Sequence, residues 1–220
     1  MTELFATHSA DAPVGGAALR TSADTSTPST PSTVAVFLHG YGSDERDLPS
    51  LAEFLPAGMP WVSLRAPLRH PSSGYSWYEL ETEFSPDAQI LTATDVIWAW
   101  VDSQLPEGTL IVPVGFSQGG LMASQLLRSR PAGVAATVVL SGYVARAAQA
   151  ADAEVAQARP HLFYGRGDAD PVIPQQFAAD AAIWFEANTE VESRVYAGMG
   201  HSVSGVECQD LAAFLSDTLN

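Results

Sequence analysis

Ser117 lies between two glycines in the pentapeptide GFSQG, residues 115–119, directly after the apolar run TLIVPV. A sharp turn from a buried strand into a helix exposes such a hydroxyl at a sheet edge, and only small residues fit at the flanking positions. The next segment has apolar residues at helical spacing: Leu121, Met122, Leu126 and Leu127. Strand, turn and helix therefore follow in the order that a nucleophilic serine needs. The alternative, a glycine-rich turn with an incidental serine, is disfavoured by this context.

A serine becomes a strong nucleophile only beside a histidine base that is oriented by a carboxylate. In proteins with this type of turn the chain order is serine, acid, histidine. Of the five histidines, only His161 and His201 follow Ser117. His161 opens an apolar strand and reads as structural, whereas His201 lies in the glycine-rich segment GMGHSV. We therefore predict His201 as the base.

Two aspartates, Asp168 and Asp170, follow the apolar run HLFYG and are candidates for the acid. Asp170 is favoured because the segment PVIP after it provides a rigid loop with apolar anchors. Asp168 is expected to cap the turn or to accept hydrogen bonds from nearby backbone amides. The predicted catalytic residues are Ser117, Asp170 and His201.

An oxyanion that forms on the substrate needs two backbone N–H donors. Gln118, the residue after the serine, is one expected donor. Tyr41 in the segment HGYG, residues 39–42, is the other. His39 in the same segment is expected to shape the loop rather than to act as a second base.

The strands that position these residues are read from short apolar runs. They are TVAVFLHG (33–40), WVSL (61–64), TLIVPVG (109–115), ATVVLSG (136–142), HLFYG (161–165) and SRVYAG (193–198). Runs that are apolar throughout are typical of parallel strands buried on both faces. A short N-terminal strand is expected around Leu4–Thr7, and a weaker one at residues 17–19. Pro113 predicts a local irregularity, because proline removes a donor from the ladder.

Helical patterns separate these runs, which indicates an α/β fold with a mostly parallel sheet. Ser85, Pro86 and Asp87 predict the start of one helix, whose apolar positions are Ile90, Thr94, Ile97, Trp98, Val101 and Leu105. Ser204 and Glu207 form a capping-box pattern at the start of the last helix. The apolar face expected there is Val206, Leu211, Phe214 and Leu215, with Cys208 as a buried small hydrophobe.

Composition narrows the classes of partner. The 220 residues carry 25 acidic and 10 basic side chains, a net charge of −15, which disfavours nucleic acid and stable association with an anionic membrane. One cysteine excludes an intrachain disulfide, and neither a metal-ligand spacing nor a nucleotide-binding motif occurs, so no metal or cofactor is expected. Without a recognisable signal sequence or spanning segment, we expect a cytoplasmic protein. Residues 1–220 are expected to form a single domain, with 21–33 as a Ser/Thr/Pro-rich surface loop.

Five segments together resemble the carboxylesterase/phospholipase group of α/β-hydrolases, which includes the acyl-protein thioesterases. They are FLHGYGSDERDL, RAP…GYSWYEL, VGFSQGG, GRGDADPVIP and YAGMGHSV. The resemblance spans roughly residues 34–215 and implies the same triad and the same oxyanion donors as above. It also implies that Trp77 lies beside the pocket. Glu79 departs from the family, whose members commonly have aspartate there.

The predicted activity is that of a serine carboxylesterase that hydrolyses short- to medium-chain esters through an acyl-enzyme. Residues 143–159 leave room for one small helix and no lid domain, so an open cleft is expected. Its expected substrate-binding residues are Leu68, Trp77, Tyr78 and Val172, with Ile173 as a further apolar wall. The alternatives are an acyl-protein thioesterase or lysophospholipase, a serine peptidase, and a non-catalytic binding protein on the same scaffold.

Overall fold

The computed structural model describes residues 4–9, 33–80 and 87–219. Within these ranges, seven strands form one sheet in the spatial order β1-β3-β2-β6-β7-β8-β9. The strands are β1 (Ala6–His8), β2 (Thr33–Leu38), β3 (Trp61–Leu64), β6 (Leu110–Phe116), β7 (Thr137–Leu140), β8 (His161–Gly167) and β9 (Glu190–Tyr196). Only β1 runs antiparallel to its neighbour; the other described pairs in this sheet are parallel. A small hairpin of β4 (Leu68–Arg69) and β5 (Tyr75–Ser76) stands apart.

Helices cover both faces of the sheet. They are α1 (Asp87–Gln104), α2 (Gln118–Ser129), α3 (Asp152–Ala158), α4 (Gln175–Asn188) and α5 (Gly205–Leu219). Side chains from α1, α2, α3 and α4 share one hydrophobic core, and those from α5 share a second core with a short 3-10 helix, Pro49–Phe54. The apolar positions predicted for α1 and α2 are buried. The predicted α/β fold with a mostly parallel sheet is therefore confirmed.

The irregularity expected at Pro113 is present. Pro113 lies inside β6 and pairs with Val36 of β2. On the opposite side, the pairing between β6 and β7 shifts by one residue between Ile111↔Val134 and Val114↔Val138. The interruption lies beside a residue that has no N–H to donate to the ladder.

Two predictions about buried surfaces are wrong. The run SRVYAG begins within β9, an edge strand of the described sheet in which every residue is exposed or half-buried. In α5, Val206 is exposed, whereas the neighbouring Glu207 is buried with Leu211, Phe214 and Leu215. The strand expected at 17–19, most of the loop at 21–33, and the helix start at Ser85 and Pro86 lie outside the described residues.

Candidate active site

The turn at Ser117 has the geometry that the flanking glycines predict. Ser117 has φ 56° and ψ −117°, a conformation that a non-glycine residue rarely adopts. Its N–H donates to the carbonyl of Leu140 (2.9 Å), which fixes the turn to β7. A Cβ on Gly115 would overlap the carbonyl of Gly119, and a Cβ on Gly119 would overlap the carbonyl of Leu38. Both glycines are therefore required by close backbone contacts.

The structure brings the three predicted catalytic residues together. The Nε2 atom of His201 lies 2.8 Å from Oγ of Ser117, and its Nδ1 atom lies 2.7 Å from Oδ2 of Asp170. The ring of Phe116 packs against the imidazole with centroids 4.9 Å apart. The three side chains thus form a continuous hydrogen-bonded chain from a carboxylate to a hydroxyl.

Both oxygens of Asp170 have partners. Oδ1 accepts hydrogen bonds from the N–H groups of Val172 (2.8 Å) and Ile173 (3.1 Å), while Oδ2 faces His201. Burial alone would raise the pKa of this carboxyl, but the hydrogen bonds from His201 and the two backbone amides outweigh it and hold the pKa below its ordinary value. An ionised Asp170 accepts from Nδ1–H, so Nε2 of a neutral His201 is left to accept the proton of Ser117.

The loop that carries His201 is tied to the end of β8. Asp168 accepts a hydrogen bond from the N–H of Gly198 (2.6 Å), and the carbonyl of Met199 accepts one from Ala169 (3.1 Å). A Cβ on Gly167 would overlap the carbonyl of Met199, so the loop packs directly on the strand. Asp168 therefore accepts a backbone hydrogen bond, as predicted, and it positions the loop.

The predicted oxyanion donors lie on two different segments. Gln118 begins α2, and Tyr41 lies in the loop after β2. Within the described part of the chain, neither N–H donates to another protein group. Because these amides have no partner there, both are available to a substrate oxygen.

His39 holds the loop that presents the Tyr41 amide. Its Nδ1 atom lies 2.7 Å from the carbonyl of Gly40, which belongs to the same peptide group as the N–H of Tyr41. Its Nε2 atom accepts the N–H of Ala66 (3.1 Å). Burial lowers the pKa of this fully buried imidazole, which favours the neutral ring that both contacts need. His39 therefore shapes the loop, in agreement with the expectation.

The predicted substrate-binding residues differ in their exposure. The side chains of Trp77 and Tyr78 are buried at 1% and 0% exposure, so neither offers a surface to a ligand. Leu68 is half-buried in the β4–β5 hairpin. Val172, at 56% exposure, is the apolar side chain of this set that is open to a ligand. The sequence predicts that the loop with Trp77 and Tyr78 borders the cleft, but it carries no sign of which aromatic rings point inward.

The connection from β7 to β8 holds no lid. Residues 141–151 lead directly to the seven-residue helix α3. Arg128, which is 1% exposed, fastens this connection through an ion pair with Asp152 and hydrogen bonds to the carbonyls of Ala145 and Ala147. Segment 143–159 therefore contains the one small helix that its length predicts.

The amino-acid sequence is similar to a known protein family and to several characterised proteins. A family model described as Phospholipase/Carboxylesterase matches residues 22–219. The chain belongs to this family. An acyl-protein thioesterase 1 from Kluyveromyces lactis is 30% identical over 209 residues, which cover 84% of this chain and 92% of that protein. The acyl-protein thioesterase 1 of Saccharomyces cerevisiae is 25% identical over 84% of this chain and 92% of its own length.

Solved structures share the fold. The esterase PE8 has a TM-score of 0.69 at 26% identity and covers 86% of this chain and 93% of its own. The carboxylesterase of Bacillus cereus has a TM-score of 0.72 at 20% identity over 84% of this chain and 88% of its own, which shows the fold alone. The family member described here is thus an α/β-hydrolase and a carboxylic ester hydrolase of the serine type. No helix in the described ranges is long and apolar enough to span a bilayer.

Proposed function

We propose that this family member is a serine carboxylesterase that hydrolyses short- to medium-chain carboxylic esters through an acyl-enzyme on Ser117. One observation carries the proposal. Oγ of Ser117 lies 2.8 Å from Nε2 of His201, whose other ring nitrogen lies 2.7 Å from an oxygen of Asp170. With the proton on Nδ1, facing Asp170, Nε2 of His201 is placed to accept the proton of Ser117.

Acylation begins when Oγ of Ser117 attacks the ester carbonyl carbon as Nε2 of His201 accepts the hydroxyl proton. The carbonyl oxygen becomes an oxyanion that accepts hydrogen bonds from the amides of Tyr41 and Gln118. Asp170 stabilises the imidazolium without taking its proton. Collapse of the tetrahedral intermediate expels the alcohol, which receives the proton from His201. Deacylation repeats these steps, with water as the nucleophile and Ser117 as the leaving group.

The proposed chain-length preference rests on the open surroundings of the site. The described β7–β8 connection contributes no lid, and the exposed Val172 offers one apolar contact beside Asp170. Tyr41 and Val172 lie on loops that follow β2 and β8, on opposite sides of β6 in the sheet. A short acyl chain or a small alcohol fits between such loops without a deep channel.

The proposal includes the cytoplasmic location and the lack of stable membrane association expected from the sequence.

Thioester hydrolysis is the second candidate. The relatives named acyl-protein thioesterase 1 reach 30% identity over 84% of this chain, and the same triad would serve a thioester. A thiolate leaves more readily than an alkoxide, because a thiol, with a pKa of about 8.5, is a stronger acid than an alcohol. Lysophospholipase or peptidase activity would use the same nucleophile on other leaving groups.

The test is kcat/KM on p-nitrophenyl esters from acetate to palmitate and on thioesters with the same acyl chains. The Ser117→Ala variant serves as the blank. We expect a peak at short or medium esters that is absent from the blank. A peak at long chains, with thioesters preferred over matched esters, would instead favour the acyl-protein thioesterase activity. Turnover that persists in the blank would contradict both candidates, whereas no turnover at any length would contradict them and favour a binding protein.

A further inference from the structure

The side-chain amide of Gln118 forms hydrogen bonds to a neighbouring segment through both its oxygen and its nitrogen. Its Oε1 atom accepts the N–H of Trp77 (2.8 Å), and its Nε2 donates to the carbonyl of Tyr78 (2.7 Å). Gln118 is only 3% exposed. An amide that satisfies two consecutive backbone groups in the core fixes the position of that segment, since removing it would leave both groups unpaired.

The side chain of Trp77 continues the connection to the loop after β2. Its indole Nε1–H donates to the carbonyl of His39 (2.9 Å), and the indole packs against the imidazole of His39 with centroids 5.4 Å apart. The carbonyl that accepts this bond precedes the Gly40–Tyr41 peptide, which His39 itself holds through Gly40. Trp77 therefore restrains the backbone that presents the Tyr41 amide.

These contacts join two segments that must cooperate. The Tyr41 amide and the Gln118 amide come from different loops, yet both must lie about 2.7–3.1 Å from one substrate oxygen. Close backbone contact between Gly119 and Leu38 fixes how near the segments approach. This contact does not determine the orientation of residues 39–41, which depends on other contacts. The path from Gln118 through Trp77 to His39 supplies such contacts from the residue that carries one of the two donors.

We propose that the side chains of Gln118 and Trp77 form an oxyanion brace, which positions the amides of Tyr41 and Gln118 for the tetrahedral intermediate. The inference rests on the proposed function, because it assigns these amides to the oxyanion. Gln118 then has two roles: its backbone N–H binds the oxyanion, and its side chain is a positioning group. Trp77 touches no substrate and acts through His39.

A purely structural role for the two side chains predicts a different result, and the chain offers matched controls. Trp98 also donates its indole N–H to one partner, Oγ of Ser129 at 2.8 Å, and is 5% exposed. Gln125 lies on the same helix as Gln118, is fully buried, and donates to Oε1 of Gln149 at 2.9 Å. Trp98→Phe and Gln125→Met therefore remove comparable buried contacts at positions outside the brace.

The experiment compares Trp77→Phe and Gln118→Met with these two controls on the best p-nitrophenyl ester. It measures kcat, KM, the pH profile, and the Ki of a trifluoromethyl ketone with the same acyl chain. The ketone carbonyl forms a covalent hemiketal with Ser117, and its oxyanion occupies the same position. We expect kcat to fall by about 10- to 100-fold in both brace variants, because loss of an oxyanion donor costs about 100- to 1,000-fold and displacement of one costs less. KM should stay within about threefold, and Ki should rise by the factor that kcat/KM falls.

The pH profile should not move, because His201 and Asp170 keep their contacts. The controls should keep kcat within about twofold of wild type. Gln118→Asn, which keeps an uncharged amide but is one methylene too short to reach both backbone groups, provides a further variant should the others fail to fold. A brace variant with wild-type kcat and Ki, or controls that lose as much as the brace variants, would overturn the brace alone. Wild-type enzyme without Ser117-dependent turnover would overturn the proposed function and the brace together.

Discussion

Nε2 of His201 lies 2.8 Å from Oγ of Ser117, although 84 positions separate the two residues along the chain. The contact exists because β6 ends directly at Ser117 and the loop after β9 returns across the same sheet edge. A hydrogen bond from the loop to Asp168 and one from Ala169 to the loop hold it on the end of β8. The proposed chemistry therefore depends on three strand ends and the short loops that link them.

Asp170→Asn tests the acid. The amide can still accept the backbone hydrogen bonds of Val172 and Ile173, but it stabilises neither the correct tautomer nor the charge of His201. We expect kcat on the best ester to fall by about 10,000-fold with little loss of stability. Asp168→Asn is the matched control. Its side-chain oxygen can still accept from Gly198, so activity should fall by less than about tenfold. Equal losses in the two variants would argue against Asp170 as the acid.

Gly119→Ala tests the close packing of the turn. A methyl group there would overlap the carbonyl of Leu38, so the backbone must shift. We expect a loss of about 3 kcal/mol in the free energy of unfolding, together with most of the activity. Gly205→Ala is the control, because nothing lies within 4 Å of a Cβ at the start of α5. Denaturant melts check both variants, and a Gly119→Ala protein as stable as wild type would refute the packing argument.

Glu207 predicts a pH dependence of stability. Its carboxyl is fully buried at the start of α5, and Oε1 has no partner among the described residues. Burial, followed in effect by the charge of Asp210, raises the pKa to about 7. The folded state then binds the proton more tightly than the unfolded state, so this group favours unfolding as pH rises from its ordinary pKa through about 7.

The measurement is the free energy of unfolding of Glu207→Gln and wild type at pH 5 and pH 8. We expect the substitution to stabilise the protein at pH 8 relative to its effect at pH 5, by about 2–3 kcal/mol. Glu186→Gln, at an exposed position of α4, should show no such difference. A difference of the opposite sign between the two pH values would show that the buried carboxylate is stabilised in its charged form.

The net charge of −15 predicts slower hydrolysis of esters in anionic membranes than in neutral ones. An ester dispersed in anionic vesicles should be hydrolysed more slowly than the same ester in zwitterionic vesicles, because the protein is repelled. Added salt should narrow the difference, since it screens exposed charges. Initial rates on the two vesicle types at low and high salt check this. Brisk hydrolysis in anionic vesicles at low salt would contradict it.

The strand ends and the candidate triad could be predicted from sequence because local signals mark them. GFSQG demands a tight turn, and HLFYG and GMGHSV mark where Asp170 and His201 leave the sheet edge. Ser204 and Glu207 form the predicted capping box, with Glu207 N–H donating to Oγ of Ser204 at 3.2 Å. Each of these features depends on a few consecutive residues, so the pattern carries the information.

Features that depend on distant partners could not be predicted. The hydrogen bonds between the Gln118 side chain and the backbone of Trp77 and Tyr78 join a helix to a loop 41 and 40 positions away, and no periodicity marks them. The rings of Trp77 and Tyr78, which the sequence predicts at the cleft, are buried. The sequence predicts β9 as a buried strand because Val195 and Tyr196 are apolar. Its place at the sheet edge follows only from the order of all the strands.

The central claim is that Ser117 is the activated nucleophile, and labelling with a fluorophosphonate tests it most directly. Mass spectrometry of the intact protein and of its peptides measures how many adducts form and where. We predict one phosphonyl adduct, on the peptide that contains Ser117, and a labelling rate at least about 1,000-fold lower in His201→Ala. No adduct, an adduct on another residue, or an undiminished rate without His201 would contradict the account.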